Sequence, residues 1–404
     1  AGVLGVTLLI SLNAAQRRSA AAELSIAETA KAAVAQTAAE LEALTLSLEK
    51  LLVTTSPRQQ AKQLSTLTVS ADRVQIGLSA LPDKEGQRAA VLAYLSRLSH
   101  LSQTALADLA EGDGFHAEAR SDLSAMLDGL RLLQSELAIA SSETLAGVEA
   151  DDALPASEVT APPSALEMVD YKALPSREIS AGEAMEIAKA FVGEDKVVSV
   201  SHAPDTAGAL PAYGVTVQTP DLQLNLEITR RGGKVLLMAP ETASFPITQS
   251  PHACQQAAVD FLALHGFGAV LPVHHQIYDG LYVASLVPMQ QDVLLYPDLL
   301  RVQVRMDTAE VVGLEAHNYW LNHVPRSLPV PALSASAAQA HIADHAQVEN
   351  PRLCLIPHQG AEVLCYEITA THNGENYLIY IDAQSGREVE LLKTITIENG
   401  FLTA

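Results

Sequence analysis

The sequence predicts an α+β multidomain chain. An N-terminal all-α helical bundle is followed by three tandem units, each a helix packed on a small antiparallel sheet. Three observations carry this. Apolar residues recur at helical spacing from Ala20 to about Ala150, a stretch rich in Pro and acid follows, and past Pro175 short amphipathic helices alternate with period-two strands. At 404 residues the chain exceeds the usual size of one domain, and 48% apolar content provides for several cores.

The first fifteen residues carry no charge, and Val3 to Ile10 is apolar throughout before Arg17 and Arg18. A spanning helix needs about 20 such residues. With no initiator Met and no basic flank before it, the run reads as the remnant of a signal anchor over residues 1–16. On that reading everything after Arg18 lies outside the cytoplasm. A secretory apolar region, or the apolar start of the first helix, are the other readings.

Residues 17–150 form the helical domain. In the first helix Val34, Leu41 and Leu48 recur every seven residues with Leu44 and Leu51 three further on, and Glu28, Glu40, Glu42 and Glu49 stand off that stripe. The helix stops near Ser56-Pro57. A second carries Leu64, Leu67, Ala71, Val74, Leu78 and Leu81 and ends at Pro82-Asp83. A third holds Val91, Leu95, Leu98, Leu101, Leu106 and Leu109, up to Glu111-Gly112-Asp113-Gly114. A fourth holds Leu123, Leu127, Leu130 and Leu137 and runs to about Val148. Short connections make this an elongated or antiparallel bundle.

Residues 151–175 are an acidic, Pro-rich linker with nothing to bury. The three units span 176–245, 246–330 and 331–404. Their helices begin at Ile179 to Ala184, at Ile247 to Ser250 and at Leu333 to Ala337, and their closing strands are Leu222 to Ile228, Leu299 to Met306 and Tyr377 to Ile381. In the third, Leu364, Tyr366 and Ile368 share one strand face. Asn373-Gly374 favours a type I′ hairpin turn, because both central residues need positive φ. Asp382 to Gly386 is a turn in which Asp bonds the backbone ahead and Gly takes the left-handed conformation, after which Val389 resumes the sheet.

A net charge of −22 argues against nucleic acid and against an anionic membrane surface. Aromatic residues make up 4% of the chain, which suits closely packed helices better than a pocket lined by rings. Cys254, Cys354 and Cys365 form no disulfide framework. With a tight turn at Gln359-Gly360, Cys354 and Cys365 fall opposite each other, about 4.5–5.5 Å apart, within disulfide reach. A bridge and two buried thiols both fit.

The stretch Tyr380-Ile381-Asp382-Ala383-Gln384-Ser385-Gly386-Arg387-Glu388-Val389 resembles the closing motif of the PepSY domain. Arg305 to Val311 keeps part of it with a shortened turn. In the first unit Thr229 stands where the Asp belongs, although Gly233-Lys234-Val235 survives. Anchor, helical domain, acidic linker and three PepSY-like units, in that order, resemble the YpeB family of spore germination proteins. The helical segments Arg58 to Leu64, Gly77 to Pro82 and Val91 to Ser99 fit as well. The resemblance implies a non-enzymatic protein on the outer face of the endospore inner membrane. It also implies a role in localising, stabilising and restraining a cortex-lytic peptidoglycan hydrolase of the SleB type.

Catalytic and metal signatures are not found. His341 and His345 sit one helical turn apart, but Ile342 occupies the place of a zincin glutamate, so they read as a solvent-facing pair on the third unit's helix. His274 and His275 are neighbours in a strand and point to opposite faces. No GxSxG, Walker loop, GxGxxG or Cys–His couple is present. Trp320 reads as a plug in the core or between units rather than a partner hot spot. No catalytic, cofactor-binding or metal residue is assigned and no cofactor is expected. The expected partners are the hydrolase, the membrane through the anchor, and further copies through the helical domain. Tandem small α+β units with no catalytic signature usually bind another protein. A PepSY-type protease inhibitor or propeptide-like chaperone, a membrane-anchored sensor ectodomain and an enzyme are the rivals.

Overall fold

The computed structural model describes residues 16–80, 88–111, 114–145, 174–207, 210–241, 244–342, 346–349, 351–397 and 400–403. The apolar run 1–15 and linker residues 151–173 lie outside them, and no helix among the described residues is long and apolar enough to cross a membrane. Contacts divide the chain into a helical unit and a sheet-bearing unit.

The helical unit is α1 (Gln16–Val53), α2 (Pro57–Ala80), α3 (Arg88–Glu111) and α4 (Ala117–Leu145). Its heptad stripe is its core: Leu41, Leu44, Leu48 and Leu51 of α1 are fully buried with Leu64, Leu67, Ala71 and Val74 of α2. Leu95, Leu98, Leu123 and Leu130 close the same core from α3 and α4. The break after α1 is chemical. Pro57 opens α2 at its first turn, Ser56 Oγ accepts from Gln59 N at 3.4 Å, and Gln60 Nε2 donates to Thr54 O at 3.2 Å. Glu49 stands off that stripe and is nevertheless 4% exposed, because Arg131 of α4 reaches across to it at 2.6 Å.

The sheet unit opens with α5 (Ala181–Val192), started by a capping box between Ser180 and Glu183. Four strands follow: β1 (Ser199–Thr206), β2 (Ala212–Gln218), β3 (Gln223–Thr229) and β4 (Val235–Pro240). Next is α6 (Pro251–Leu264), capped by Ser250, then β5 (Val270–Tyr278), β6 (Leu281–Gln290), β7 (Val293–Leu295), β8 (Leu300–Arg305) and β9 (Glu310–Glu315). The remainder is α7 (His317–Asn322), α8 (Ala335–Gln339), β10 (Gln347–Val348), β11 (Arg352–His358), β12 (Ala361–His372), β13 (Glu375–Asp382), β14 (Glu388–Ile397) and β15 (Gly400–Thr403).

These strands do not form separate small sheets. They run in one order, β1-β2-β3-β4-β9-β8-β6-β5-β15-β14-β13-β12-β11-β7, and β7 also pairs with β6. The last eight strands therefore close into a ring, a barrel built from β5, β6 and β7 of the second predicted unit and β11 to β15 of the third. Helices α5 and α6 cover one face of the open part, where Ala184 and Ala188 meet Val215 and Ile228, and Cys254, Ala258 and Leu262 meet Ala284 and Val302. The three strands expected to close their units (β3, β8 and β13) are interior, because β4, β9 and β14 each add one strand beyond the turn.

Local turn chemistry holds. Asn373 and Gly374 have φ of 50° and 79°, and Gln359 and Gly360 have 52° and 79°. Asp382 Oδ1 accepts from Gln384 N at 2.7 Å and Ser385 N at 3.1 Å, with Gly386 at φ 75°. In the first predicted unit the hydroxyl of Thr229 substitutes for that carboxylate, accepting from Lys234 N at 2.8 Å and donating to Arg231 O at 2.7 Å.

Candidate functional site

The barrel interior is the face that α5, α6 and α8 leave uncovered, and it is graded from dry to wet. At one end Val287, Leu294, Cys354, Ile356, Cys365 and Val389 form an apolar plug. Toward the other end the same strands present polar residues: His274 and Gln276 on β5, Arg352 on β11, Glu367 and Thr369 on β12, Asn376 on β13 and Thr394 on β14. The free face of β6, β8, β9 and β4 continues this mouth with Val283, Ser285, Arg301, Gln303, Glu315 and Leu237. Together they bound a groove of about 860 Å³.

Strand alternation decides which residues reach it. Because Leu364, Tyr366 and Ile368 face outward to α8 and its flanking segment, where Tyr366 Oη donates to Leu333 O at 2.8 Å, Cys365, Glu367 and Thr369 must face inward. Glu367 is the deepest charge, 2% exposed. Its carboxylate accepts from Tyr296 Oη on one oxygen and from Arg352 Nη2 on the other. Burial, then the neighbouring Tyr380 and Glu367, pushes the Tyr296 phenol well above its ordinary pKa, so it stays a neutral donor. The Tyr380 ring meets Tyr296 edge-on at 6.1 Å. The guanidinium of Arg301 is likewise committed, to Glu315 at 3.0 Å.

Several groups are left for a visitor. The amides of Gln276 and Gln303 and the hydroxyl of Ser285 line the groove and bond no other described residue. Gln303 is held flat by its cross-strand partner: a Cβ on Gly313 would lie 2.6 Å from Gln303 Oε1, so only glycine lets that side chain lie down. Tyr278, 46% exposed, also lines the groove.

A second cleft of about 740 Å³ lies between α5 and α6, with Phe191, Phe261 and His265 among its walls. Its cations are engaged, Lys196 with Glu310 and Arg305 with Asp307, and its remaining walls are largely apolar.

The residues singled out by the sequence fall as follows. His274 faces the groove while His275 stacks on Tyr282 at 5.0 Å, on opposite faces as expected. Cys354 and Cys365 are directly opposed across β11 and β12, both as buried thiols. Trp320 acts as a plug between the first two predicted units: its Nε1 donates to Val235 O at 2.9 Å and its ring meets Phe267 at 5.6 Å. The expected helical pair His341 and His345 is corrected. Helix α8 stops at Gln339, so His341 sits in the turn beyond it against Gly386, and His345 lies outside the described residues. No metal-binding cluster is present among the described residues. The groove itself was not legible from motifs, since no residue in it belongs to a catalytic pattern. The one available signal was the polar side of the strand alternation.

Known proteins resemble this chain in sequence. Residues 152–329 match the family described as YpeB sporulation, PepSY1 and PepSY2 domains, and residues 332–392 match the peptidase propeptide and YPEB domain. The chain is 32% identical over 225 residues to the sporulation protein YpeB of Halalkalibacterium halodurans, covering 55% of this chain and 50% of that protein. It is 31% identical over 234 residues to the sporulation protein YpeB of Bacillus subtilis, covering 55% and 51%. The match thus spans about half the length of these curated relatives. The solved Bacillus megaterium YpeB C-terminal domain aligns with a TM-score of 0.49 at 24% identity, covering 55% of this chain and 100% of that one.

Proposed function

Because the chain belongs to the YpeB family of sporulation proteins, we propose that it serves spore germination without being an enzyme. It localises, stabilises and restrains a cortex-lytic peptidoglycan hydrolase of the SleB type until germination. It works on the outer face of the endospore inner membrane, held by an N-terminal anchor. The observation that carries a protein-binding role is the free end of the sheet. One end of the strand order is closed by β7 pairing back to β6, whereas β1 has no second strand partner among the described residues.

The phase of the ladder identifies the groups on that edge. Arg230 N donates to Pro211 O, so odd residues of β2 bond β3 and even ones bond β1. Through the pairs Gln218–Ser199 and Thr216–Ser201, Ser199 and Ser201 are committed to β2. The main-chain groups of Val200 and His202 point the other way. Pro204 falls in the irregularity between Ala203 and Thr206, where the register shifts and a missing N–H is tolerated. An extended segment of the hydrolase adds to this edge by main-chain hydrogen bonds.

The test combines the soluble chain from Arg18 onward with the cortex-lytic hydrolase of the same organism, acting on purified spore peptidoglycan. Stoichiometric binding that suppresses hydrolysis is expected, and His202→Pro, which removes one outward N–H, should weaken it. Unchanged hydrolysis with no binding would overturn the reading in favour of a propeptide-like protease chaperone.

A further inference from the structure

We propose that the barrel mouth is a binding site for a neutral saccharide chain carrying hydroxyl and acetamido groups. The groove has the size of a small-molecule site, about 300–1,000 Å³ in general, and mouths of small barrels are common places for such ligands.

Its chemistry narrows the class by elimination. An anionic ligand needs an uncommitted cation, yet Arg301 is engaged by Glu315 and Arg352 by Glu367, in a chain of net charge −22. A cationic ligand finds Glu315 and Glu367 already holding guanidinium groups, and the remaining acid of the lining, Glu349, is solvent-exposed, where a single carboxylate contributes about 0–1 kcal/mol. A lipid tail would strip water from the Gln276 and Gln303 amides and return no hydrogen bond, a cost of roughly 1–3 kcal/mol for each. An extended peptide gains most by adding to a sheet edge, and this is a sheet face whose main-chain groups lie in ladders with their neighbours. What remains is a ligand read by side chains alone, through groups that both donate and accept.

Gln276, Gln303 and Ser285 are such groups, and none is occupied by another described residue. Hydroxyls and acetamides are their chemical complement, each able to give and take a hydrogen bond. Gln303 is set in advance against Gly313, so ordering it on binding costs little. Tyr278 adds a partly exposed ring against which the apolar face of a sugar packs. The Tyr296–Glu367–Arg352 cluster, centred on the buried Glu367, is the floor beneath.

The experiment is calorimetric titration of the full chain with N-acetylglucosamine tetramer, with maltotetraose and an N-acetylated, amidated tetra-alanine peptide as comparisons. Binding of the acetamido sugar with a Kd on the order of 1 mM or tighter is expected. Gln303→Leu and Tyr278→Ala should each weaken it at least about tenfold at an unchanged melting temperature, which separates a lost contact from a lost fold. If neither saccharide binds, if only the peptide binds, or if both variants bind as the parent does, the proposal is overturned. Because His202 lies on β1 and not in the groove, hydrolase binding can fail or succeed independently of this result.

Discussion

Arg326 clamps Asp298 through two contacts, Nη1 to Oδ2 at 2.8 Å and Nη2 to Oδ1 at 2.7 Å, and the same guanidinium holds Glu362 through Nε at 2.8 Å. Asp298 lies in the turn before β8, Glu362 on β12, and Arg326 on the segment that connects α7 to α8. One side chain thus ties the second predicted unit to the third. Asp298 is fully buried and its other visible partner is His323 Nδ1 at 2.7 Å. Arg326→Ala leaves that carboxylate short of its main counterion. Breaking a buried pair from one side costs roughly 3–5 kcal/mol; His323 remains to offset part of it, so a loss of about 3 kcal/mol is expected. Urea titration of the variant, followed by Trp320 fluorescence, checks it.

Acid should weaken the sheet unit before it touches most carboxylates. His265 packs against Phe191 at 4.0 Å and Phe261 at 4.3 Å, and burial pulls its pKa down. Burial does the same to His275, and to His274 with help from His275 and Arg301. A depressed histidine is neutral in the fold while the unfolded chain takes up the proton near pH 6.5. Stability is therefore full above that pH and falls as pH drops through it toward the folded values. Asp307 belongs to a lower window. Arg305 bonds its carboxylate and holds it below the ordinary range, so its contribution is present above the usual carboxylate pKa and fades only as pH falls further. Denaturation midpoints at pH 7.5, 6.5 and 5.5 should decline in that order, with a shallower slope for His265→Gln.

The three thiols should be silent in the native protein. Cys254, Cys354 and Cys365 are each 0% exposed. Burial raises Cys365 to about 12 and Cys354 well above its ordinary value. The thiolate is the reactive form, and both access and ionisation are denied here. Ellman's reagent at pH 8 should titrate essentially nothing on the native chain and three thiols in guanidinium chloride. Rapid native labelling of two thiols would mean that the barrel opens on the timescale of the assay.

Legibility followed the range of the interaction. The Asn373-Gly374 turn, the helix start at Ile179 to Ala184 and the leucine stripe of α1 are set by neighbours within about one helical or hairpin repeat, and each appears where its residues predict. Ring closure is different in kind. It depends on β7, three residues long, which pairs antiparallel with β6 and parallel with β11. A run that short shows no period. Glu367 follows from this: alternation marks it as the polar side of β12, but only the closed ring turns that side into an interior where Arg352 and Tyr296 must satisfy it. The length of α8 escapes the sequence for a related reason. An Ala-rich start after Ser334 reads as helix, yet the chain leaves that path after five residues.

Adjacent positions on α1 separate two kinds of burial. Leu48 is fully buried among leucines, and Glu49 beside it is 4% exposed through its ion pair with Arg131. Removing Leu48 loses transfer energy and leaves a cavity, typically about 2–5 kcal/mol for Leu→Ala, so Leu48→Ala should cost about 3 kcal/mol in the helical unit. Glu49→Ala also removes a buried group, but Arg131, the charge it faces, has a side chain 37% exposed that can be hydrated where it stands. Alanine is moreover the better helix former. The second variant should therefore lose no more than about 1 kcal/mol. Loss of helical circular dichroism in urea measures both, with Leu132→Ala, at 61% exposure, as the neutral reference. If Glu49→Ala proved as damaging as Leu48→Ala, the ion pair and not the leucine stripe would be what fixes α4 against α1.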